Sequence, residues 1–213
     1  MNELYYRAVP FNALGIELSL PDPDQVKAAY ESGERKEFPY WSKIWASSLA
    51  LANRLKKEPQ IIAGKNILEI GAGIGLPSFI ASSFASSVTI SDHIPEAIEW
   101  MDLNISNLKL QNVKTGLVDW KRRPLPDADV ILLSDIGYEE EDFPDIRDMI
   151  LHYITSGSQI LLSVPFRMIS ANFIKLIDEF VMTRSVVSAM DTEILLLQLA
   201  ATDSLWPALK QNS

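Results

Sequence analysis

A glycine-rich loop set between an apolar strand and a helix constrains this chain more than any other feature. The segment reads Leu68-Glu69-Ile70-Gly71-Ala72-Gly73-Ile74-Gly75-Leu76-Pro77. Asn66–Ile70 is short and apolar, the pattern of a buried strand. Pro77 falls in the first turn of the helix expected over Leu76–Ala85, where a missing N–H costs little. Between them the glycines permit a sharp turn and leave bare backbone on which a ligand can lie. The helix start adds unpaired N–H groups. A second strand, Val88–Ser91, leads directly into Asp92. A carboxylate at that strand end can accept both hydroxyls of a ribose. Together these features describe a nucleoside site beyond the carboxyl ends of a parallel sheet.

The remaining pattern fits such a sheet. Residues 1–38 are the least regular part: Leu14–Leu20 reads as a strand, and Asp24 is expected to cap a short helix near Val26–Tyr30. Ser42–Lys57 predicts a helix with Trp45, Leu49, Ala52 and Leu55 on one face. Helices are expected over Pro95–Leu108, Phe143–Ile154 and Ile169–Phe180, with Ile94, Ile98, Met101, Ile105 and Leu108 in register along the first. Strands are expected over Val113–Val118, Val130–Ser134 and Gln159–Val164. Thr183–Val187 and Glu193–Ala200 are two last strands joined by a turn at Met190-Asp191, too tight a link for a parallel pair. The expected fold class is α/β, a Rossmann-like doubly wound seven-stranded sheet, mostly parallel, with one antiparallel strand near its edge. Residues 1–38 read as an N-terminal extension and residues 39–213 as the main domain.

The glycine spacing narrows the nucleoside. The dinucleotide fingerprint needs its third glycine one residue later, where this chain has Leu76. Glu69 would sit badly beside a pyrophosphate but suits a ligand with an amino group. S-adenosylmethionine carries an α-amino group and a ribose and no phosphate. Composition agrees with this narrowing. The 213 residues carry 28 acids against 19 bases, a formal charge of −9, which is a poor match for a phosphate backbone. The chain has no cysteine, so thiolate catalysis, disulfides and cysteine-based zinc sites are excluded. The uncharged stretch from Ile70 to Ser91 is interrupted by Gly71, Gly73, Gly75 and Pro77, which makes it a poor membrane span. No targeting segment is visible at the start, and a cytoplasmic monomer is expected, with no metal, no membrane and no nucleic acid among its partners.

Four motifs in order carry a family resemblance. Leu68–Pro77 with Asp92 resembles the cofactor motifs of class I (seven-β-strand) S-adenosylmethionine-dependent methyltransferases. Pro39-Tyr40-Trp41 leading into Trp45-Ala46-Ser47-Ser48-Leu49 resembles the helix before the core in the family-16, lysine-methyltransferase-like group. Val118-Asp119-Trp120 resembles its Asp-Trp motif, and Ser134-Asp135-Ile136-Gly137-Tyr138 its Asp-x-x-Tyr signature. The likeness covers residues 38–165 best. Ala46 stands where proline is common, and Gly137 before Tyr138 is unusual.

The resemblance implies an S-adenosylmethionine-dependent N-methyltransferase acting on lysine side chains of a protein. It implies that Gly71, Ala72, Gly73 and Gly75 line the methionine part, with Glu69 supporting the loop or the amino group. Asp92 would hold the ribose, with His93 beside the adenine; Asp119 and Trp120 would flank the adenine. Trp45 would close over the cofactor, and Ser134 would offer backbone near the sulfonium. Asp135 and Tyr138 would be catalytic, the first aiming the amine and the second walling the pocket. Methyl transfer needs positioning and desolvation rather than an enzyme nucleophile, in keeping with a chain that has two histidines and no cysteine. A small-molecule N-methyltransferase of the nicotinamide type, taking a small amine, and a catalytically idle cofactor-binding module are the alternatives. The acidic run Glu139–Asp142 is expected to serve the dipole of the helix it precedes.

Overall fold

The computed structural model describes residues 4–136, 139–166 and 168–201. The chain begins with an antiparallel hairpin, β1 (Ala8–Ala13) and β2 (Ile16–Pro21), followed by helix α1 (Pro23–Glu31). A short 3-10 turn at Tyr40–Ser42 leads to α2 (Ala46–Lys57). Strand and helix then alternate through β3 (Asn66–Ile70), α3 (Leu76–Ala81), β4 (Ser87–Asp92), α4 (Pro95–Leu108) and β5 (Val113–Leu117). The second half runs β6 (Val130–Ser134), α5 (Phe143–Thr155), β7 (Gln159–Pro165), α6 (Met168–Ile177), β8 (Val181–Ala189) and β9 (Thr192–Leu199).

Strands β3 to β9 form one seven-stranded sheet in the order β5-β4-β3-β6-β7-β9-β8. Only β9 runs antiparallel, pairing with β7 on one side and edge strand β8 on the other. This is the doubly wound sheet that the sequence predicts. The chain winds outward from β3 through β4 to β5, then crosses back to β6 on the other side of β3. That reversal opens a crevice beyond the carboxyl ends of β3 and β6, where Ile70 pairs with Leu133.

Alternation along the central strands supplies two cores. Ile67, Val130, Leu132 and Leu161 point into a cluster shared with the hairpin and helices α1 to α4. Leu68, Ile70, Ile131, Leu133, Ile160 and Leu162 point into a second cluster with α5 and α6. Burial on both faces explains why these strands read as unbroken apolar runs. Glu69 lies on the first face, a carboxylate in an otherwise apolar row, and is fully buried.

The N-terminal region is more ordered than its sequence suggests. Pro10 hides β1, since a residue without an N–H argues against a strand; it is accommodated because each strand of a two-stranded hairpin has a free edge. Asp22, rather than Asp24, caps α1: its Oδ1 accepts from the Asp24 N–H at 3.0 Å, and Arg7 pairs with its Oδ2. Tyr6, Leu18, Leu20, Val26 and Ala29 enter the same core as α2 to α4.

Three helices depart from expectation at their ends or faces. Helix α2 starts four residues late because Trp45 has extended backbone (φ −94°, ψ 156°) and stands at its N-cap. Its buried face runs through Ser47, Ser48, Leu51, Ala52 and Leu55. Helix α3 stops at Ala81, where the Ser82 hydroxyl donates to the Phe79 carbonyl at 2.7 Å and the chain turns. Helix α4 buries Ala97, Trp100, Met101 and Asn104 instead of centring on Ile98 and Ile105, because the hairpin covers it from outside.

Asn104 carries that docking. It is fully buried, its Oδ1 accepts from the Ser19 N–H at 2.7 Å and its Nδ2 donates to the Ser19 and Trp100 carbonyls at 3.0 and 2.9 Å. Replacing it with alanine strands both polar groups of Ser19. Asn104→Ala should therefore lose roughly 2–4 kcal/mol of stability in urea denaturation. A loss below about 0.5 kcal/mol, the scale of an ordinary surface substitution, would show that the hairpin is not held this way.

Candidate functional site

The loop between β3 and α3 is shaped by what lies against it. Gly75 has φ +84°, and a Cβ there would stand 2.6 Å from the Ile90 Cγ2. Gly73 has φ +57°, and a Cβ there would stand 3.0 Å from the Trp41 carbonyl oxygen. Both positions therefore need glycine, the first for packing against β4 and the second to let the chain before α2 close on the loop. Trp120 and Ile136 cover Gly71, at 3.3 and 3.5 Å from the place of a Cβ.

Asp92, at the end of β4, fixes this loop. Its Oδ2 accepts from the Gly73 N–H at 2.9 Å and its Oδ1 from the Ile94 N–H at 3.1 Å. Its carbonyl accepts from the Val118 N–H at 2.9 Å, which ties in the segment after β5. The side chain is buried, yet Oδ2 has a second lone pair beyond its bond to Gly73. Next to it the His93 Nδ1 lies 3.3 Å from Asp92 Oδ1, and this contact holds the imidazole pKa above its ordinary value. The His93 ring stands edge-on to Trp120, with centroids 5.9 Å apart. The Trp120 Nε1 is buried without a hydrogen-bond partner among the described residues.

Glu69 turns away from the crevice. Its Oε2 accepts from the Ser78 N–H at 3.0 Å, which caps the first turn of α3, while Oε1 is buried with no partner among the described residues. Burial pushes its pKa up to about 8; the bond to Ser78 opposes the rise and the Asp92 charge adds to it. Asp119 is held locally, its Oδ1 accepting from the Lys121 N–H at 3.0 Å and its Oδ2 lying 3.1 Å from the Arg122 Nε. Trp45 is half-buried, and its Nε1 donates to the Tyr40 carbonyl at 2.9 Å. The Lys43 Nζ lies 3.7 Å from the centroid of that indole.

Beyond β6 the chain turns at Asp135, whose φ of +56° is left-handed. Aspartate is one of the few residues that visit this region readily. The Asp135 N–H donates to the Ser163 carbonyl at 2.9 Å, and Ser134, buried, pairs with Ser163 in the sheet. The Ser163 hydroxyl donates to the Ser47 carbonyl at 3.0 Å, so the first turn of α2 is anchored beside Asp135. Tyr138 lies outside the described residues. The acidic run ends in a 3-10 turn, Glu140–Asp142, at the start of α5, as its dipole favours, and Asp142 pairs with Lys121 at 2.5 Å.

The carboxyl ends of β3, β4, β5 and β6 and the turns just past them thus carry Gly71, Ala72, Gly73, Asp92, His93, Trp120, Ser134 and Asp135. Sequence reasoning passed over Trp41, whose backbone closes on Gly73, and Ile136, which covers Gly71. Trp41 stood inside a quoted motif, but nothing in its side chain signals that its carbonyl is the part in contact. The arrangement fits S-adenosylmethionine: a glycine cradle, a buried carboxylate with one acceptor position to spare for a ribose hydroxyl, and an imidazole and indole able to flank a purine. Among the described residues no cluster of three or more His, Asp or Glu side chains could hold a metal, and no helix is long and apolar enough to cross a membrane.

Comparison with known proteins agrees with this geometry. The family model described as lysine methyltransferase matches residues 34–180. The human histone-arginine methyltransferase METTL23 is 31% identical over 137 residues, covering 61% of this chain and 72% of that protein. The Xenopus tropicalis protein N-lysine methyltransferase METTL21A is 32% identical over 130 residues, covering 58% of this chain and 60% of that protein. Among solved structures, the N-methyltransferase NodS from Bradyrhizobium japonicum, in complex with S-adenosyl-L-homocysteine, aligns over 82% of this chain and 96% of its own, with TM-score 0.60 and 14% identity. A Pyrococcus abyssi tRNA (uracil-54, C5)-methyltransferase aligns over 91% of this chain and 44% of its own, with TM-score 0.62 and 11% identity. At those identities the structures share the fold alone.

The buried Glu69 makes stability depend on pH in a specific direction. Its folded pKa, about 8, lies above its unfolded value of 4.5. Folding therefore favours the protonated form, and this contribution falls as pH rises from about 4.5 to about 8. Glu69→Gln keeps the shape without the charge, so the stability of the variant relative to wild type should increase across that window, on the order of a few kcal/mol. Parallel urea curves for the two proteins between pH 5 and pH 8 would show instead that Glu69 ionises normally.

Proposed function

The chain belongs to the lysine methyltransferase family, and from that premise we propose that it transfers a methyl group from S-adenosylmethionine to a lysine side chain of a protein. The observation that carries this reading is the pairing of the Asp92-anchored glycine cradle with Asp135 across the switch point of one sheet. Gly71, Ala72 and Gly73 line the amino-acid end of the cofactor, with Gly75 completing the turn. Asp92 holds the ribose. His93, Asp119 and Trp120 border the adenine. Trp45 closes over the cofactor, the Ser134 backbone lies near the sulfonium end, and Glu69 acts on the loop through Ser78. The bound cofactor supplies an electrophilic methyl group on sulfur.

The chain's own contribution is to present a neutral amine and keep water away. Asp135 accepts a hydrogen bond from the incoming amine, draws its proton and turns the nitrogen lone pair toward the cofactor. The left-handed turn fixes the direction from which that carboxylate works. Tyr138, three residues on, walls the acceptor pocket in this reading. In this reading the catalytic unit spans residues 39–213, with residues 1–38 as an N-terminal extension. The formal charge of −9 supports a cationic protein partner over nucleic acid, and the absence of cysteine suits a cytoplasmic setting.

Arginine is the second reading, favoured by the likeness to METTL23. The lysine reading rests on the family description and on relatives such as METTL21A and the Arabidopsis thaliana calmodulin-lysine N-methyltransferase, 30% identical over 112 residues. Incubation with methyl-labelled cofactor and an acid extract of cellular proteins, then hydrolysis, should give methyl-lysine; methyl-arginine would establish the second reading.

Two further outcomes test the site. Titration calorimetry should detect binding of S-adenosylmethionine and S-adenosylhomocysteine and not of NAD; Asp92→Ala should weaken the first two by roughly 10- to 100-fold, the scale of lost charge-assisted hydrogen bonds. NAD binding would overturn the cofactor assignment. Asp135→Asn keeps a residue that tolerates φ +56°. It should bind S-adenosylhomocysteine as wild type does and lose about 100-fold or more in methyl transfer; full activity would remove Asp135 from the chemistry.

A further inference from the structure

Four aromatic rings form a strip along the segment that leads into α2. Tyr30 and Phe38 have centroids 5.5 Å apart, Phe38 and Tyr40 5.4 Å, and Tyr40 and Trp45 6.0 Å. Tyr30 and Tyr40 are 44% and 57% exposed, so this side of the strip is open. The bond from the Trp45 Nε1 to the Tyr40 carbonyl holds the indole at a set angle. Lys43 then lies across the strip, its Nζ 3.7 Å from the Trp45 centroid and 5.9 Å from that of Phe38. The chain has placed its own ammonium where an aromatic face attracts a cation.

The strip borders the candidate site on two sides. Trp41, between Tyr40 and Lys43, closes on Gly73 through its carbonyl, 3.0 Å from the place of a Cβ. Ser47, two residues beyond Trp45, is joined through Ser163 to Asp135 by bonds of 3.0 and 2.9 Å. Exposed Glu37 stands beside exposed Lys36 on the same stretch, and Glu31 pairs with Lys27 at 3.7 Å, so the local charge is mixed; the attraction for a cation comes from the aromatic faces that Lys43 already occupies.

We infer that Phe38, Tyr40 and the one face of Trp45 that Lys43 covers form a docking subsite for a second cationic side chain of the protein substrate, one that flanks the methylated residue, that the rest of the indole is left to the cofactor, and that Lys43 fills this subsite until the substrate displaces it. This rests on the reading that the substrate is a protein methylated on a basic side chain, and it adds where the neighbouring sequence is read. Lysine and arginine share the chemistry that the strip recognises, and a planar guanidinium stacks better on such faces than an ammonium.

Fluorescence anisotropy of labelled oligo-lysine and oligo-arginine peptides, added to the full chain saturated with S-adenosylhomocysteine, tests the subsite. Tyr40→Leu and Phe38→Leu remove a π face while keeping apolar bulk, and each should weaken both peptides by about 3- to 10-fold. Lys43→Gln should tighten both by about threefold, because the competing ammonium is gone. Lys114→Gln, an equal charge change on β5, separates this from general attraction to an acidic protein and should shift affinity by less than about 1.5-fold. Oligo-arginine should bind more tightly than oligo-lysine. Wild-type affinity in both aromatic variants would overturn the inference, as would equal shifts for Lys43→Gln and Lys114→Gln. Loss of S-adenosylhomocysteine binding in Tyr40→Leu and Phe38→Leu would overturn it too, by assigning the strip to the cofactor. Failure of the wild-type chain to bind S-adenosylhomocysteine would overturn the methyltransferase reading instead, and the peptide affinities would then be compared without it.

Discussion

Asp92 is the residue on which the rest of the site depends. One side chain and one carbonyl join three segments that are distant in sequence: the loop after β3 through Gly73, the turn after β4 through Ile94, and the chain after β5 through Val118. A buried carboxylate is costly unless its charge is met, and here the two backbone N–H groups meet it. Holding Gly73 also sets the approach of Trp41 and hence the path of the chain into α2. A ligand in the crevice would meet a carboxylate already aimed by these bonds, with little reorganisation left to make.

Glu69 and Asp92 show how position decides the fate of a carboxylate. They sit on adjacent strands, Glu69 two residues before Gly71 and Asp92 one residue past the Ser91 that pairs with Ile70. Glu69 faces the helical layer, has one N–H partner at α3, and burial pushes its pKa up to about 8, which favours the protonated form. Asp92 faces the crevice and two N–H groups. A side chain that is neutral and turned inward has no strong attraction for a ligand's ammonium. Of the two uses that the sequence allowed for Glu69, its geometry is that of a support for the loop and the helix start.

What could be read from the chain follows from how local each signal is. The central strands were legible because burial on both faces leaves continuous apolar runs such as Val130–Ser134, and because three glycines before Leu76-Pro77 mark a strand-to-helix turn. Strand β1 was not, because Pro10 is forbidden in most strands and tolerated only at an edge. The cap of α1 went to Asp22 instead of Asp24 because Arg7, fifteen residues away, holds its carboxylate in place. Trp45 read as part of a helix face; its indole is instead committed to the Tyr40 carbonyl, a tertiary bond with no sequence periodicity. Each misreading lies where a specific contact or edge position outweighs local preference.

The sheet alone does not select a substrate. An N-methyltransferase and a tRNA methyltransferase superpose on this chain with similar scores, 0.60 and 0.62. Discrimination must then come from segments outside the shared sheet that reach the crevice. Two of the described segments that do so bear on the acceptor. One is the turn at Asp135, whose left-handed backbone follows directly on β6 and carries the carboxylate proposed to meet the acceptor. The other is the stretch from Phe38 to Trp45, which touches the cofactor loop through Trp41 and presents aromatic faces outward. The first offers a carboxylate and the second offers π faces, and both chemistries favour a cation over a phosphate. A small neutral amine would engage only the first. A basic protein segment engages both, which is the physical ground for preferring a protein acceptor at this site.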